Sequence, residues 1–114
     1  MKYTINGKEW TEFDINKRCA ELLGVPVSFS RLPEKIFKLS VNSGGFTDEY
    51  NPCNNPQDTW PIVEKCWGYL FDSMLLKNVH GFELQQSRWN QIMINHKCTS
   101  LAAACICLIE ENEA

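Results

Sequence analysis

Thr11-Glu-Phe-Asp-Ile-Asn-Lys-Arg-Cys-Ala20-Glu-Leu-Leu-Gly-Val-Pro-Val-Ser-Phe29 changes its hydrophobic period part-way along. Ile15, Cys19, Leu22 and Leu23 fall at i, i+4, i+7 and i+8, one face of a helix, while Glu12, Asn16 and Lys17 lie toward the other side. Thr11 and Asp14 have the spacing of a capping pair. Gly24 suits the left-handed stop of a helix, and Pro26 prevents continuation. The pattern predicts a helix over 11–23, the first clear element of the chain. Val25, Val27 and Phe29 then alternate with Pro26 and Ser28, and Phe37, Leu39 and Val41 alternate with Lys38 and Ser40. Period 2 predicts two half-buried strands, joined by Arg31–Lys35, with Phe29 and Phe37 on their core face. Pro26 places the first strand at an edge.

Outward from there, residues 42–57 read as a long turn-rich loop, of the kind that often carries function. Asp58 is a good N-cap, with Pro61 in the first turn that follows. Ile62, Val63, Cys66, Trp67 and Leu70 form the stripe of a second helix reaching about Leu76. A start at Asn55 is the alternative, and it would put Pro61 inside the helix. Phe82, Leu84 and Gln86 alternate as a strand. Residues 89–95 fit either period, and the reading leans to strand. Thr99 or Ser100 caps a last helix, Leu101 to about Glu111, apolar nearly all round and therefore buried. The order α, β, β, α, β, β, α predicts a single α+β domain over 1–114: a small, mostly antiparallel sheet covered by about three helices, like an α-β-α sandwich.

Composition agrees with one globular domain. The 114 residues are 44% hydrophobic and 22% charged, with a net charge of −3 that argues against a dedicated nucleic-acid binder. Residues 1–40 carry seven bases and five acids, against four bases and nine acids in 41–114, so only the N-terminal third is weakly basic. The longest apolar run, Leu101 to Ile109, is nine residues, half of the roughly 18 that a membrane span needs. The N-terminal ten residues lack a signal peptide's apolar core, so a cytoplasmic location is expected. There the six cysteines would be free thiols, several of them small hydrophobes on helix faces.

Candidate chemistry is sparse. Cys105-x-Cys107 is on a helix, where i and i+2 diverge, and no CxxC or HxxxH pair exists, so no metal or other cofactor is expected. Cys53 in the polar loop could be a nucleophile if His80 or His96 folded beside it. Ser43-Gly44-Gly45 lacks the spacing of a phosphate loop. Phe29, Arg31, Lys35, Phe37 and Lys38 mix aromatics and cations as a single-strand binder does, with Arg31, Lys35 and Lys38 as the contacts. The loop around Cys53, Asn54, Asn55, Asp58 and Trp60 reads either as turn and cap chemistry or as a recognition surface.

Three blocks also resemble a known family: Phe13-Asp-Ile-Asn-Lys-Arg18, Tyr50-Asn-Pro-Cys-Asn-Asn-Pro-Gln-Asp-Thr-Trp-Pro-Ile-Val63 and His96-Lys-Cys-Thr-Ser-Leu-Ala-Ala-Ala104. Together they look like the NinX-like small proteins of lambdoid phages and of prophages in enteric bacteria. Residues 25–46 match that pattern poorly. The resemblance implies a phage product in a bacterial cytoplasm and an α-β-α fold, and it carries over no activity and no catalytic residue. The function expected is a non-enzymatic accessory protein that binds a host or phage protein. A nucleic-acid-associated factor comes second, and a small Cys/His enzyme or metal protein third.

Overall fold

A computed structural model describes residues 2–39, 44–71, 73–77 and 83–113. The chain is a single α+β globule in which α5 (Ser100–Asn112) is the central element. Every residue from Ala102 to Ile109 is buried. Helix α1 (Glu12–Leu23), helix α2 (Pro56–Lys65), the short α3 (Trp67–Leu70), α4 (Arg88–His96) and β1 (Lys2–Ile5) all pack against it. The run Ala102–Ala104 lets these neighbours approach closely, because a methyl side chain keeps the helix thin.

The strands form three separate antiparallel ladders. Strands β1 and β2 (Lys8–Thr11) form an N-terminal hairpin closed by Asn6 and Gly7, both at positive φ (51° and 82°). Asn-Gly is the residue pair such a two-residue turn favours. Tyr3, Ile5 and Trp10 press into the main core. Strands β3 (Val27–Arg31), β4 (Glu34–Leu39) and β5 (Phe46–Glu49) pair in that order, and their register shifts between Lys38 and Leu39. Strands β6 (Ser73–Lys77) and β7 (Glu83–Ser87) make the third ladder.

Helix α1 ends as its sequence dictates. The Thr11 hydroxyl accepts from the Asp14 N–H at 3.1 Å, and the Asp14 carboxylate accepts from the Thr11 N–H at 3.0 Å. Gly24 closes the helix at φ 70°. Asn16, expected on the outer side, is instead buried toward residues 51–53.

Four other expectations are corrected. The loop over 42–57 contains β5, whose four residues are all exposed and so leave no hydrophobic period. Asn55, not Asp58, is the N-cap of α2, and its side chain accepts from the Gln57 N–H at 3.1 Å. Pro56 takes the first turn and Pro61 lies inside, where the Gln57 carbonyl loses its helical donor. The second helix also stops short of Leu76: Cys66 breaks it, α3 ends at Leu70, and Ser73–Lys77 is strand. Residues 89–95 are helical, because the Ser87 hydroxyl caps Asn90 N–H at 3.2 Å and Ile92 turns inward with Trp89 and Met93.

In the three-stranded sheet the buried strand residue is Ile36, which clusters with Ala20 and Tyr50. Phe29, expected in the core, is 47% exposed. It sits opposite Ile36 on the outer strand and meets the edge of Phe13 and the Lys17 ammonium. Val41, His80 and Phe82 lie outside the described residues.

Candidate functional site

Residues 51–59 are tied into the fold by a closed set of hydrogen bonds. Asp58 is buried, and its carboxylate accepts from the Asn51 N–H at 2.9 Å and from the Lys38 ammonium. Asn16 of α1 reaches across: its amide nitrogen donates to Asn51 Oδ1 at 3.0 Å, and its oxygen accepts from the Cys53 N–H at 3.2 Å. Asn54 donates to Glu12 at 3.2 Å and to Asn51 at 3.1 Å. Thr59 donates its hydroxyl to the Asn55 carbonyl at 2.8 Å and also reaches the Pro52 carbonyl. Cys53 is buried. So Cys53, Asn54, Asn55 and Asp58 are brought together with their polar groups engaged by the protein itself.

Trp60 differs from the rest. It is 57% exposed on α2, whereas Ile62, Val63 and Cys66 are buried. The chain continues from α2 into α3 with a helical hydrogen bond from Leu70 N–H to the Cys66 carbonyl at 2.8 Å. Trp60, Glu64, Trp67 and Phe71 are spaced four, three and four residues apart, the repeat of one helical side, across the break at Cys66. Trp67 is 53% exposed and Phe71 is 48% exposed. Trp67 lies 4.5 Å from Phe71, and Phe71 meets Trp89 edge-on at 5.8 Å. Trp89 is fixed by an indole N–H donated to the Ser100 carbonyl at 2.8 Å. The result is a stripe of large apolar side chains held on a helix whose other face is deep in the core.

Sequence reading placed Trp67 in the inward stripe, and here it faces out. Spacing does not settle this: Trp67 is i+4 from Val63 and i−3 from Leu70 but also i+7 from Trp60, so it borders the buried stripe, and its exposure is set by the tertiary packing.

No protein-family profile, curated protein or solved structure matches this chain. The likeness to the NinX-like proteins accordingly rests on its three sequence blocks, and the residues must speak for the site.

The basic hairpin is only partly available. Arg31 and Lys35 are exposed near the β3–β4 turn, whereas Lys38 is committed to Asp58. A groove of about 110 Å³ beside this sheet is lined by Glu12, Glu34 and Glu49 as well as Lys35. Those carboxylates would repel phosphate.

The cysteines are all free and divide into neighbourhoods around α5. Burial first, then the neighbouring Cys19 and Cys53 thiols, push the Cys105 thiol well above the ordinary range. Cys107, two residues on, is also buried, and the influence of Cys66 together with burial pushes its thiol up. Cys53 is thus among thiols, while His96 stands against Tyr3 at 6.2 Å. Burial, then Glu12, pushes the Tyr3 phenol up to about 12. Among the described residues no group of three or more His, Cys, Asp or Glu is arranged to hold a metal ion. Among them, too, no single helix is long and apolar enough to cross a membrane.

Proposed function

We propose that this protein is a non-enzymatic binding module that contacts a partner protein through the outer stripe Trp60, Trp67 and Phe71, extended by Trp89. One observation carries the reading: three large aromatic residues at helical spacing stand about half exposed, while Ile62, Val63, Cys66 and Leu70 of the same segment are sealed into the core. Trp in particular concentrates binding energy where it can be desolvated, and holding it on a rigid element removes part of the ordering cost. Glu64, exposed between Trp60 and Trp67, gives the stripe a charge of its own. In the phage setting implied by the three-block resemblance, the partner is a host or phage protein in the bacterial cytoplasm.

The nucleic-acid reading is the second. Its support is the exposed Phe29 with the Lys17 ammonium 5.1 Å from its ring. It is the weaker one, since Lys38 is neutralised by Asp58 and the adjoining groove is acidic.

Affinity capture from bacterial lysate, with and without nuclease and across salt, separates the two. The proposal expects a stoichiometric protein that survives nuclease, tolerates salt and is lost with Trp67→Ala and reduced with Trp60→Ala. Capture that vanishes with nuclease and falls steeply with salt would instead establish the phosphate-binding reading.

A further inference from the structure

The β3–β4–β5 sheet has two edges, and they are built differently. Strand β5 carries Asp48 and Glu49, and its ladder slips register between Lys38 and Leu39. Charge and irregularity are the usual guards against pairing with another chain. Strand β3, Val27-Ser-Phe-Ser-Arg31, has neither inside it. Its register with β4 is unbroken, it holds no proline, and its one charge stands at the end. Among the described residues no strand pairs with its outer side. The turn decides which backbone groups face that side. Arg31 and Glu34 flank a two-residue connection and face each other, so their backbone groups bond mutually. Alternation then turns the N–H and C=O of Val27, Phe29 and Arg31 toward β4, and those of Ser28 and Ser30 outward. Phe29 stands at the middle of the strand, 47% exposed, on the same face as the buried Ile36.

We propose that β3 is a self-pairing edge, on which a second copy of this chain docks antiparallel about a two-fold axis through Phe29. The strand is nearly a palindrome about that residue, which is what an isologous contact needs. Ser28 of each copy meets Ser30 of the other, and their outward backbone groups exchange both N–H···O bonds. Phe29 meets its own counterpart as a non-hydrogen-bonded pair, the kind that brings side chains closest. Val27 meets Arg31, so no like charges stand opposite. Centring the axis on Ser28 instead would set Pro26, which has no N–H, against Ser30. Both copies of α1 lie on one face, each packed on its own β4. Three strand spacings, about 14 Å, separate the two β4 strands, more than the roughly 8–10 Å between packed helices. That leaves room between the helices for Phe29 and Phe13 of both copies, which already meet edge-on within each copy at 6.5 Å. The product is one sheet in the order β5-β4-β3-β3-β4-β5 with the Phe29 pair covered. A contact of one short strand and its flanks belongs to the weak class of interfaces. It is separate from the aromatic stripe and does not rest on it.

The test is sedimentation equilibrium of the full chain under reducing conditions, from about 1 μM to about 1 mM. The expected result is a reversible monomer–dimer equilibrium within that range. Phe29→Lys sets two ammonium groups face to face beside Lys17, and Ser28→Pro removes an outward donor. Each should weaken dimerisation by more than about tenfold, with folding checked by melting temperature in dilute solution. Trp67→Ala should leave the equilibrium unchanged. The register has its own readout. In the paired copies the two residues at position 29 stand about 4.5 Å apart at Cα, within disulfide reach. Phe29→Cys under mild oxidation should therefore give a dimer whose joined peptides both carry position 29. A wild-type chain that stays monomeric up to about 1 mM would overturn the proposal. So would a dimer that survives Phe29→Lys and Ser28→Pro, or one that is lost with Trp67→Ala. Should one edge variant fail to fold, the other and the position-29 cross-link decide.

Discussion

Helix α5 and the β3–β4–β5 sheet are built on opposite terms. Around α5, eight consecutive residues from Ala102 to Ile109 are buried, and four other helices and the N-terminal hairpin close over them. In the sheet, Ile36 is the buried strand residue, every residue of β5 is exposed, and the cluster beneath is Ala20, Ile36 and Tyr50. Apolar burial holds the first region. The second is fastened by polar ties: Lys38 to Asp58, and Tyr50 N–H to the Ile36 carbonyl at 2.7 Å. The helical body is therefore where a rigid binding surface can be carried, and α2–α3, which belongs to it, carries the aromatic stripe. The sheet's own exposed residues, Phe29, Leu39 and Phe46, sit on a part of the molecule with far less beneath it.

Mutations can break this contrast in order of size. Ile106→Ala opens a cavity at the centre of the helical body and should cost about 2–5 kcal/mol of global stability in denaturant unfolding. A loss under 1 kcal/mol would mean the α5 core is loosely packed. Asp58→Ala strands the Lys38 ammonium and the Asn51 N–H. It should cost about 2–3 kcal/mol, at the low end for a buried pair because Lys38 is partly solvated. Hydrogen exchange should speed up in β4 and β5 well before α5, and equal acceleration in both would erase the distinction between the regions. Asn55→Ala removes one helix cap and should cost about 1 kcal/mol in thermal unfolding. Phe46→Ser, on the exposed strand β5, should leave stability within about 0.5 kcal/mol of wild type. A larger loss would show that the sheet's outer face is covered.

Local chemistry was legible in the sequence, and chemistry between distant residues was not. The α1 caps at Thr11, Asp14 and Gly24 involve neighbours only, and the buried last helix followed from apolar residues all round. The α+β class followed from the change of period after Gly24. The Asn6-Gly7 turn between Tyr3 and Trp10 was equally local, but its strands are only four residues each. Asp58 has the right chemistry for a cap, and it is taken instead by Lys38, twenty residues away. Helix α4 was missed because its short apolar run fits both periods, with the Ser87 cap as the deciding signal. Of the five loop residues proposed as a contact surface, four are spent on internal bonds or burial. Asn54 and Trp60 are exposed, but the Asn54 amide is bonded to Glu12 and Asn51, which leaves Trp60 as the contact candidate, with Trp67 and Phe71 as its companions at helical spacing.

The most direct test titrates the captured partner protein, once purified, against Trp67→Ala and Phe29→Ala, one exposed aromatic from each region. The stripe on the helical body predicts a Kd weakened by more than about tenfold with Trp67→Ala, as for a central aromatic anchor, and unchanged with Phe29→Ala. Affinity that survives Trp67→Ala and falls with Phe29→Ala would contradict that account and place the contact on the sheet.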